Sequence, residues 1–123
     1  MNDAPKGQFA MDFVRHDALL ELARGDVFRP GFAAWLADNR HVWHRFEAEA
    51  HKVRARGRKH YSARTIVEVL RHESALADSG EPWKLNDHNT PDLARLYLLA
   101  HPDASGFFET RLLSKSDRGD TLP

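Results

Sequence analysis

The fold is decided by the stretch Arg40-His-Val-Trp-His-Arg-Phe-Glu-Ala-Glu-Ala-His-Lys-Val-Arg-Ala-Arg-Gly57. At 100° per residue, its apolar side chains gather on one side of a helix: Val42, Trp43, Phe46, Ala50 and Val53. Gly57 is a natural stop, and Arg54 and Arg56 lie in the last turn, where the helix dipole favours cations. The stretch therefore predicts an amphipathic helix over residues 40–56.

Two apolar segments before this helix predict further helical structure. Residues 9–24 carry an apolar pattern at helical spacing, formed by Phe9, Phe13, Leu19, Leu20 and Ala23. Gly25 and then Pro30-Gly31 interrupt the chain. A short helical turn follows over residues 32–39, with the apolar residues Phe32, Trp35 and Leu36. We therefore expect two shorter helical segments before the main helix.

Ser62 predicts the start of the next helix. Its hydroxyl suits an N-cap, and Tyr61 and Ile66 flank it at the spacing of a hydrophobic staple. The helix is expected to end by Ser79-Gly80, with Arg64 and Arg71 on its wet side. Its expected buried residues are Ile66, Val69, Leu70 and Leu76, with Ala63 and Val67 at the margin.

Thr90-Pro91 predicts the start of a last helix, which runs from Asp92 to His101 and ends at Pro102. Apolar residues surround it almost completely, whereas a helix that reads a DNA groove needs several exposed donors and acceptors. We therefore expect this helix to belong to the core or to form a self-association face, which leaves a homodimer open.

Two short alternating segments predict a β-ribbon, in which Trp83–Asn86 pairs with Phe107–Leu112. A short helix over residues 107–113 is the alternative. The predicted fold class is therefore mainly α, with four to five helices in one domain. If the ribbon forms, the outline is winged-helix-like.

Length and composition limit the class of protein. At 123 residues we expect a single domain over residues 1–123, with an ordered core at 8–113 and flexible tails at 1–7 and 114–123. With 41% hydrophobic and 29% charged residues, the composition is typical of soluble globular proteins. The absence of cysteine excludes disulfides and thiolate sites. Neither a membrane span nor a signal core is recognisable, so we expect a cytoplasmic protein.

The charge is unevenly distributed although 18 Lys and Arg residues balance 18 acids. Residues 40–72 hold nine basic and three acidic residues, a sum of plus six, and the two flanks are negative. No acid occurs between Glu49 and Glu68. Such a segment attracts phosphates or an acidic partner. The alternative is a solvated helix end with a basic linker, partly neutralised by nearby glutamates.

We predict that this segment binds phosphates at the start of the Ser62 helix, where the positive end of the helix dipole adds to the cations. A second polar group, residues 86–90, can contact nucleic acid or can simply form a turn and cap. The candidate nucleic-acid contacts are Arg54, Arg56, Arg58, Lys59, His60, Ser62, Arg64, Arg71, Asn86, His88 and Arg95.

Metal binding and catalysis have weaker signals. His44, Glu47 and His51 share one helix stripe beside His41, but His44 and His51 are two turns apart, roughly 10 Å along the axis. One ion cannot bind both, so ion pairing on a solvated face is the preferred interpretation. We expect no metal and no cofactor. Because no nucleophile elbow or Gly-rich phosphate loop is present, we assign no catalytic residue.

The ordered string Gly57-Arg-Lys-His-Tyr-Ser62, Lys84-Leu-Asn86, Ala94-Arg95, His101-Pro102 and Phe107-Phe-Glu-Thr-Arg111 resembles a family of small phage and bacterial proteins of unassigned function. The resemblance covers roughly residues 32–114. Asp87 departs from the family pattern, which usually has a second asparagine there. The resemblance implies a compact, mainly helical, phage-type domain and supplies no activity or catalytic residue.

The leading functional hypothesis is a non-enzymatic, phage-type accessory protein that binds nucleic acid mainly through phosphate contacts. The competing hypothesis is a protein-interaction module, such as a phage-encoded inhibitor or modulator of a host defence protein, with an acidic host protein as partner. A metal-dependent enzyme is the distant alternative. The pattern indicates neither the specificity for a nucleic acid nor the identity of a host target.

Overall fold

The computed structural model describes residues 14–76 and 89–110, which form five α-helices and one 3₁₀ turn. No strand occurs within these two ranges. The prediction of a mainly α chain with four or five helices is therefore confirmed. In chain order the elements are α1 (His16–Ala23), α2 (Phe32–Asp38), α3 (Arg40–Ala55), α4 (Ala63–Leu76), α5 (Asn89–Ala100) and the 3₁₀ turn Pro102–Ala104.

The central helix is α5, which packs against α1, α3 and α4 and leads into the 3₁₀ turn. Leu93, Leu96 and Tyr97 of this helix are completely buried. Neighbours on several sides require apolar residues almost all around a helix, and this explains the unusual pattern. The prediction that this helix belongs to the core is confirmed.

Helix α3 turns its apolar side towards α4 and α5, as its sequence predicts. Val42, Trp43, Phe46 and Ala50 are buried there, and Val53 is half-buried. The Phe46 ring lies 6.5 Å from the Tyr97 ring and 5.5 Å from the Phe108 ring, measured between centroids. Burial of each such aromatic side chain contributes roughly 1.5–3 kcal/mol. The main helix is thus held by aromatic contacts to the end of the described chain.

A tight turn joins α3 to α4. Gly57 ends α3 with a φ of 90°, a left-handed conformation that glycine adopts without a Cβ clash, and its N–H donates to the Arg54 carbonyl at 2.9 Å. At the start of α4, the Ser62 Oγ accepts a hydrogen bond from the Thr65 N–H at 3.2 Å. The predicted stop and the predicted N-cap are both confirmed.

The buried side of α4 differs from the predicted one. Val67 is fully buried, whereas Val69 and Leu76 are exposed. The buried residues are Ile66, Val67, Leu70 and Ser74, because α4 packs against both α3 and α5 and a wider side of the helix is covered. The spacing of apolar residues within one helix predicts which side is buried. The neighbouring helices decide how far the buried side extends.

The predicted second strand is not formed in its described part, residues 107–110. Phe107 and Phe108 are both buried, although they are adjacent. Successive residues of a strand point to opposite faces, so a strand on the surface of the core cannot bury both rings against it. The chain instead follows the 3₁₀ turn with an irregular bend.

Several predictions lie outside the described residues. They concern the first strand of the ribbon at residues 83–86, the tails at 1–7 and 114–123, and the part of the first helix before residue 14. Within the described ranges, no helix has both the length and the apolar character that crossing a bilayer requires.

Candidate functional site

Four cations of the basic run point into solvent and form what we call the basic surface: Arg56, Arg58, Lys59 and Arg64. Each is exposed, and none forms an ion pair with a carboxylate of residues 14–76 or 89–110. They lie on the turn after α3 and on the second residue of α4, within nine positions of the chain. Among the described residues, the structure thus keeps a local positive charge that no carboxylate pairs with, where the sequence predicts it.

Hydrogen bonds fix the loop that carries the basic surface to residues 106 and 107, which follow the 3₁₀ turn. The Tyr61 N–H donates to the Phe107 carbonyl at 3.0 Å, and the His60 Nδ1 lies 3.0 Å from the Gly106 carbonyl oxygen. Because both bonds are to the backbone, the loop has a defined position even though its basic side chains are exposed. His60 and Ser62, both predicted contacts, therefore act first as structural residues.

Arg54 is separated from the basic surface, although it belongs to the same run in sequence. Its side chain is only 12% exposed, and its Nη2 forms an ion pair with the Asp103 Oδ2 at 2.8 Å. Its Nη1 donates to the Tyr97 hydroxyl at 3.1 Å. Burial acts to lower the pKa of Arg54, but the hydrogen bonds to Tyr97 and Asp103 outweigh it and raise that pKa. The Arg54 guanidinium is therefore bound within the fold, and its contact with phosphate stays a prediction that the structure does not favour.

Two further predicted contacts are ion-paired on their own helices. Arg71 lies 3.5 Å from the Glu68 carboxylate, and Arg95 lies 3.3 Å from the Asp92 carboxylate. Arg95 is only 11% exposed. Neither extends the basic surface as an unpaired cation. The remaining two predicted contacts, Asn86 and His88, lie outside the described residues.

A groove of about 1090 Å³ opens beside the basic surface, between the start of α4, the first turns of α5 and residues 105–110. It brings together predicted contacts that are distant in sequence, namely Ser62, Arg64 and Arg95. Arg29 from the α1–α2 connection also lines it, although the sequence pattern did not select this residue. Glu109 is the acid in its lining.

A second group of polar side chains lies inside the protein. Glu47, His51 and His101 are 1%, 0% and 5% exposed, and we call them the buried cluster. The interpretation of Glu47 and His51 as part of a solvated face is therefore wrong. Because α5 packs against α3, its last turn and the residue that follows cover this side of α3.

Hydrogen bonds join the buried cluster to the core. The His101 Nε2 lies 2.7 Å from the Glu47 Oε2, and the His51 Nδ1 lies 2.7 Å from the Tyr97 hydroxyl. The rings of His51 and His101 meet edge to face with centroids 4.7 Å apart. Burial raises the pKa of Tyr97 to about 12, against the opposing effect of Arg54, so its hydroxyl stays protonated at neutral pH.

Part of this cluster had a signal in the sequence. Glu47 and His51 are four residues apart on a helix, a spacing that brings two side chains side by side. The third member, His101, follows 50 positions later and is brought close only by the packing of α5 on α3. Sequence periodicity contains no information about that distance.

No protein-family model, curated protein or solved structure matches this chain. The resemblance to small phage and bacterial proteins therefore stays a prediction. The site is defined by its own geometry: an exposed group of cations beside a groove, and a buried group of imidazoles and a carboxylate.

Proposed function

We propose that this protein is a non-enzymatic nucleic-acid-binding protein whose basic surface contacts phosphates. The observation that carries the proposal is the exposure of Arg56, Arg58, Lys59 and Arg64 without ion pairs within the described chain. A cation that is already ion-paired must lose its partner before it binds a phosphate. Within residues 14–76 and 89–110 these four cations have no such partner, so a phosphate oxygen gains their full interaction there.

The position of the basic surface suits an extended anionic backbone. Its cations follow one another along the turn and into the first turn of α4, where the positive end of the helix dipole adds to their field. The neighbouring groove, which Arg64 also lines, lies along the same side. Glu109 at the groove opposes an anion, so the strongest contacts are expected on the turn.

The fold supports phosphate contacts over base readout. A reading helix needs exposed donors and acceptors. Helix α5 is mostly buried, and the α4 side chains beside the groove are Ala63 and Arg64. We therefore expect similar affinity for nucleic acids of different sequence and a strong dependence on salt.

The test is fluorescence anisotropy with labelled duplex DNA of two unrelated sequences, titrated at several salt concentrations. Four phosphate contacts predict a slope of about −3.6 for log K against log[salt] on duplex DNA. Replacing Arg58 and Lys59 together by Gln is expected to reduce that slope by roughly 1.8. Both sequences should respond equally.

Arg40→Gln is the matched control, because Arg40 is exposed and begins α3, at the far end from the basic surface. The distance along the helix to Ala55 is roughly 22 Å. This variant should keep the wild-type slope. If wild-type protein binds neither duplex nor single strands at low salt, the proposal is wrong. A pull-down that captures an acidic protein after nuclease treatment would then support the competing hypothesis.

A further inference from the structure

We propose that the buried cluster Glu47, His51 and His101 binds one divalent transition-metal ion of the zinc class, which ties α3 to the end of α5. The potential ligand atoms of these three side chains lie within 4.8 Å of one another. This site is separate from the basic surface and does not depend on the proposed nucleic-acid binding. It also revises the expectation of no metal, which considered the α3 stripe alone.

The chemistry of the three side chains suits a borderline metal ion. Two imidazoles and one carboxylate form a ligand set that zinc uses in proteins, and imidazole also suits cobalt and nickel. Calcium and magnesium prefer oxygen ligands, so the two histidines disfavour them. A fourth tetrahedral position remains for a water molecule.

The geometry requires only small movements. Zinc bonds of 2.0–2.2 Å place tetrahedral ligand atoms roughly 3.3 Å apart. The His101 Nε2 and the Glu47 Oε2 are now 2.7 Å apart, so an ion between them widens this pair slightly. No pair of ligand atoms in the cluster is more than 4.8 Å apart, so the widest contracts by about 1.5 Å at most.

A second layer of contacts holds one ligand in place. The His51 Nδ1 lies 2.7 Å from the Tyr97 hydroxyl, and this contact fixes the orientation of the imidazole ring. Ligating histidines usually hold their other ring nitrogen in this manner. Arg54 in turn donates to the Tyr97 oxygen, and Asp103 balances the charge of Arg54.

Glu47 connects the cluster with the surface. Besides its contact with His101, it lines a depression of about 670 Å³ between residues 14–19 and the start of α3. His16, His41 and His44 line the same depression. Glu47 is therefore the member of the buried cluster that reaches the wall of this depression.

Burial of the carboxylate supports metal binding over a purely structural network. Within the described residues, the Glu47 carboxylate accepts one short hydrogen bond, from His101, and one long one of 3.4 Å from the Val14 N–H. A buried carboxylate generally needs a charged partner or several hydrogen bonds. A divalent ion bound by two neutral imidazoles supplies that charge.

The experiment begins with full-length protein freed of metal by a chelator. Zinc is titrated in competition with a chromogenic chelator, and cobalt is titrated by visible absorption. We expect one ion per chain, a d–d spectrum of tetrahedral cobalt and a higher melting temperature with zinc. X-ray absorption at the zinc edge of the loaded wild-type protein should show two imidazole ligands. This measurement does not depend on how well any variant folds.

His101→Gln should weaken zinc binding by more than about 100-fold, because it removes a direct ligand. Tyr97→Phe should weaken it by about 10–100-fold, because it removes only a contact to a ligand. His72→Gln is the matched control, because His72 is exposed on α4, and it should leave the affinity unchanged. Circular dichroism checks that each variant is folded. No binding by wild-type protein, more than one weakly bound ion, or full binding by folded His101→Gln would each overturn the proposal.

Discussion

The basic surface and the buried cluster have opposite origins and opposite surroundings. The basic surface is local: Arg56, Arg58, Lys59 and Arg64 lie within nine positions, and all face solvent. The buried cluster is non-local: Glu47 and His101 are 54 positions apart, and both are inside the protein. The basic surface is recognisable in the sequence as a run of basic residues. The buried cluster exists only after α5 has packed against α3.

Arg54 marks the boundary between the two regions. In sequence it belongs to the basic run, but in the structure it bonds to Tyr97 and Asp103 beside the buried cluster. A charge run therefore indicates where cations are, whereas tertiary contacts decide which of them remain available. Predictions that contrast the two regions test this distinction.

The largest expected effect is loss of stability on removing the carboxylate of the buried cluster. Glu47→Ala leaves His101 buried without its partner, and we expect a loss of about 3 kcal/mol in the free energy of unfolding. Urea denaturation in the presence of a chelator measures it. The control Glu68→Ala, at an exposed residue of α4, should change stability by less than about 0.5 kcal/mol. Equal losses of stability in Glu47→Ala and Glu68→Ala would show that the buried carboxylate contributes no more to stability than an exposed one.

The second effect concerns the turn that carries the basic surface. Gly57→Ala places a Cβ at a φ of 90°, and we expect a loss of about 1–2 kcal/mol by thermal or urea unfolding. Gly57→Asn is the control, since asparagine tolerates left-handed backbone better, and it should cost less. Among the described residues, no atom beyond the two chain neighbours lies within 4 Å of an added Cβ, so backbone strain is the tested cause. Identical stability of Gly57→Ala and wild-type protein would refute it.

The third effect separates Arg54 from Arg58. Arg54→Gln should lower the free energy of unfolding by about 1 kcal/mol, because it removes two hydrogen bonds of a nearly buried guanidinium. It should leave the salt dependence of DNA binding unchanged. Arg58→Gln should do the reverse and reduce the slope by about 0.9. Parallel urea and anisotropy measurements decide, and a reduced slope in Arg54→Gln would show that Arg54 also contacts phosphate.

The smallest effect is a pH dependence at Asp103. The hydrogen bond from Arg54 lowers the pKa of Asp103 below its ordinary 3.8 in the folded protein. Folding therefore favours the ionised carboxylate. Its contribution to the free energy of unfolding is fully present above the unfolded-state pKa of 3.8 and disappears as the pH falls through the folded-state pKa. Asp103→Asn should cost less than about 1 kcal/mol at pH 6, since Asp103 is largely exposed. Unfolding curves at lower pH should show the difference shrinking.

A double variant tests whether the pH effect arises from the pair. In the Arg54→Gln background, Asp103→Asn should have a much smaller pH-dependent effect, because the partner that lowers the pKa most is already gone. A cost that persists unchanged in this background would assign the effect to another contact of Asp103.

Much of the helical structure was predictable because its signals are local. Gly57 and Ser62 act within their own turns, so the end of α3 and the start of α4 agree with the prediction. The buried edge of α4 at Val67 and the bend after Phe107 were predicted wrongly. Both features depend on which helices pack around these residues. The spacing of apolar residues within one segment does not contain that information.

The amino-acid sequence by itself determined the five helical segments and the position of the positive charge, because capping, helical period and charge act over a few residues. Only the tertiary structure decided that Arg54 turns inward and that Glu47 and His51 meet His101. Burial and ion pairing depend on contacts between residues far apart in the chain. Such contacts exist only once α3 and α5 are packed together.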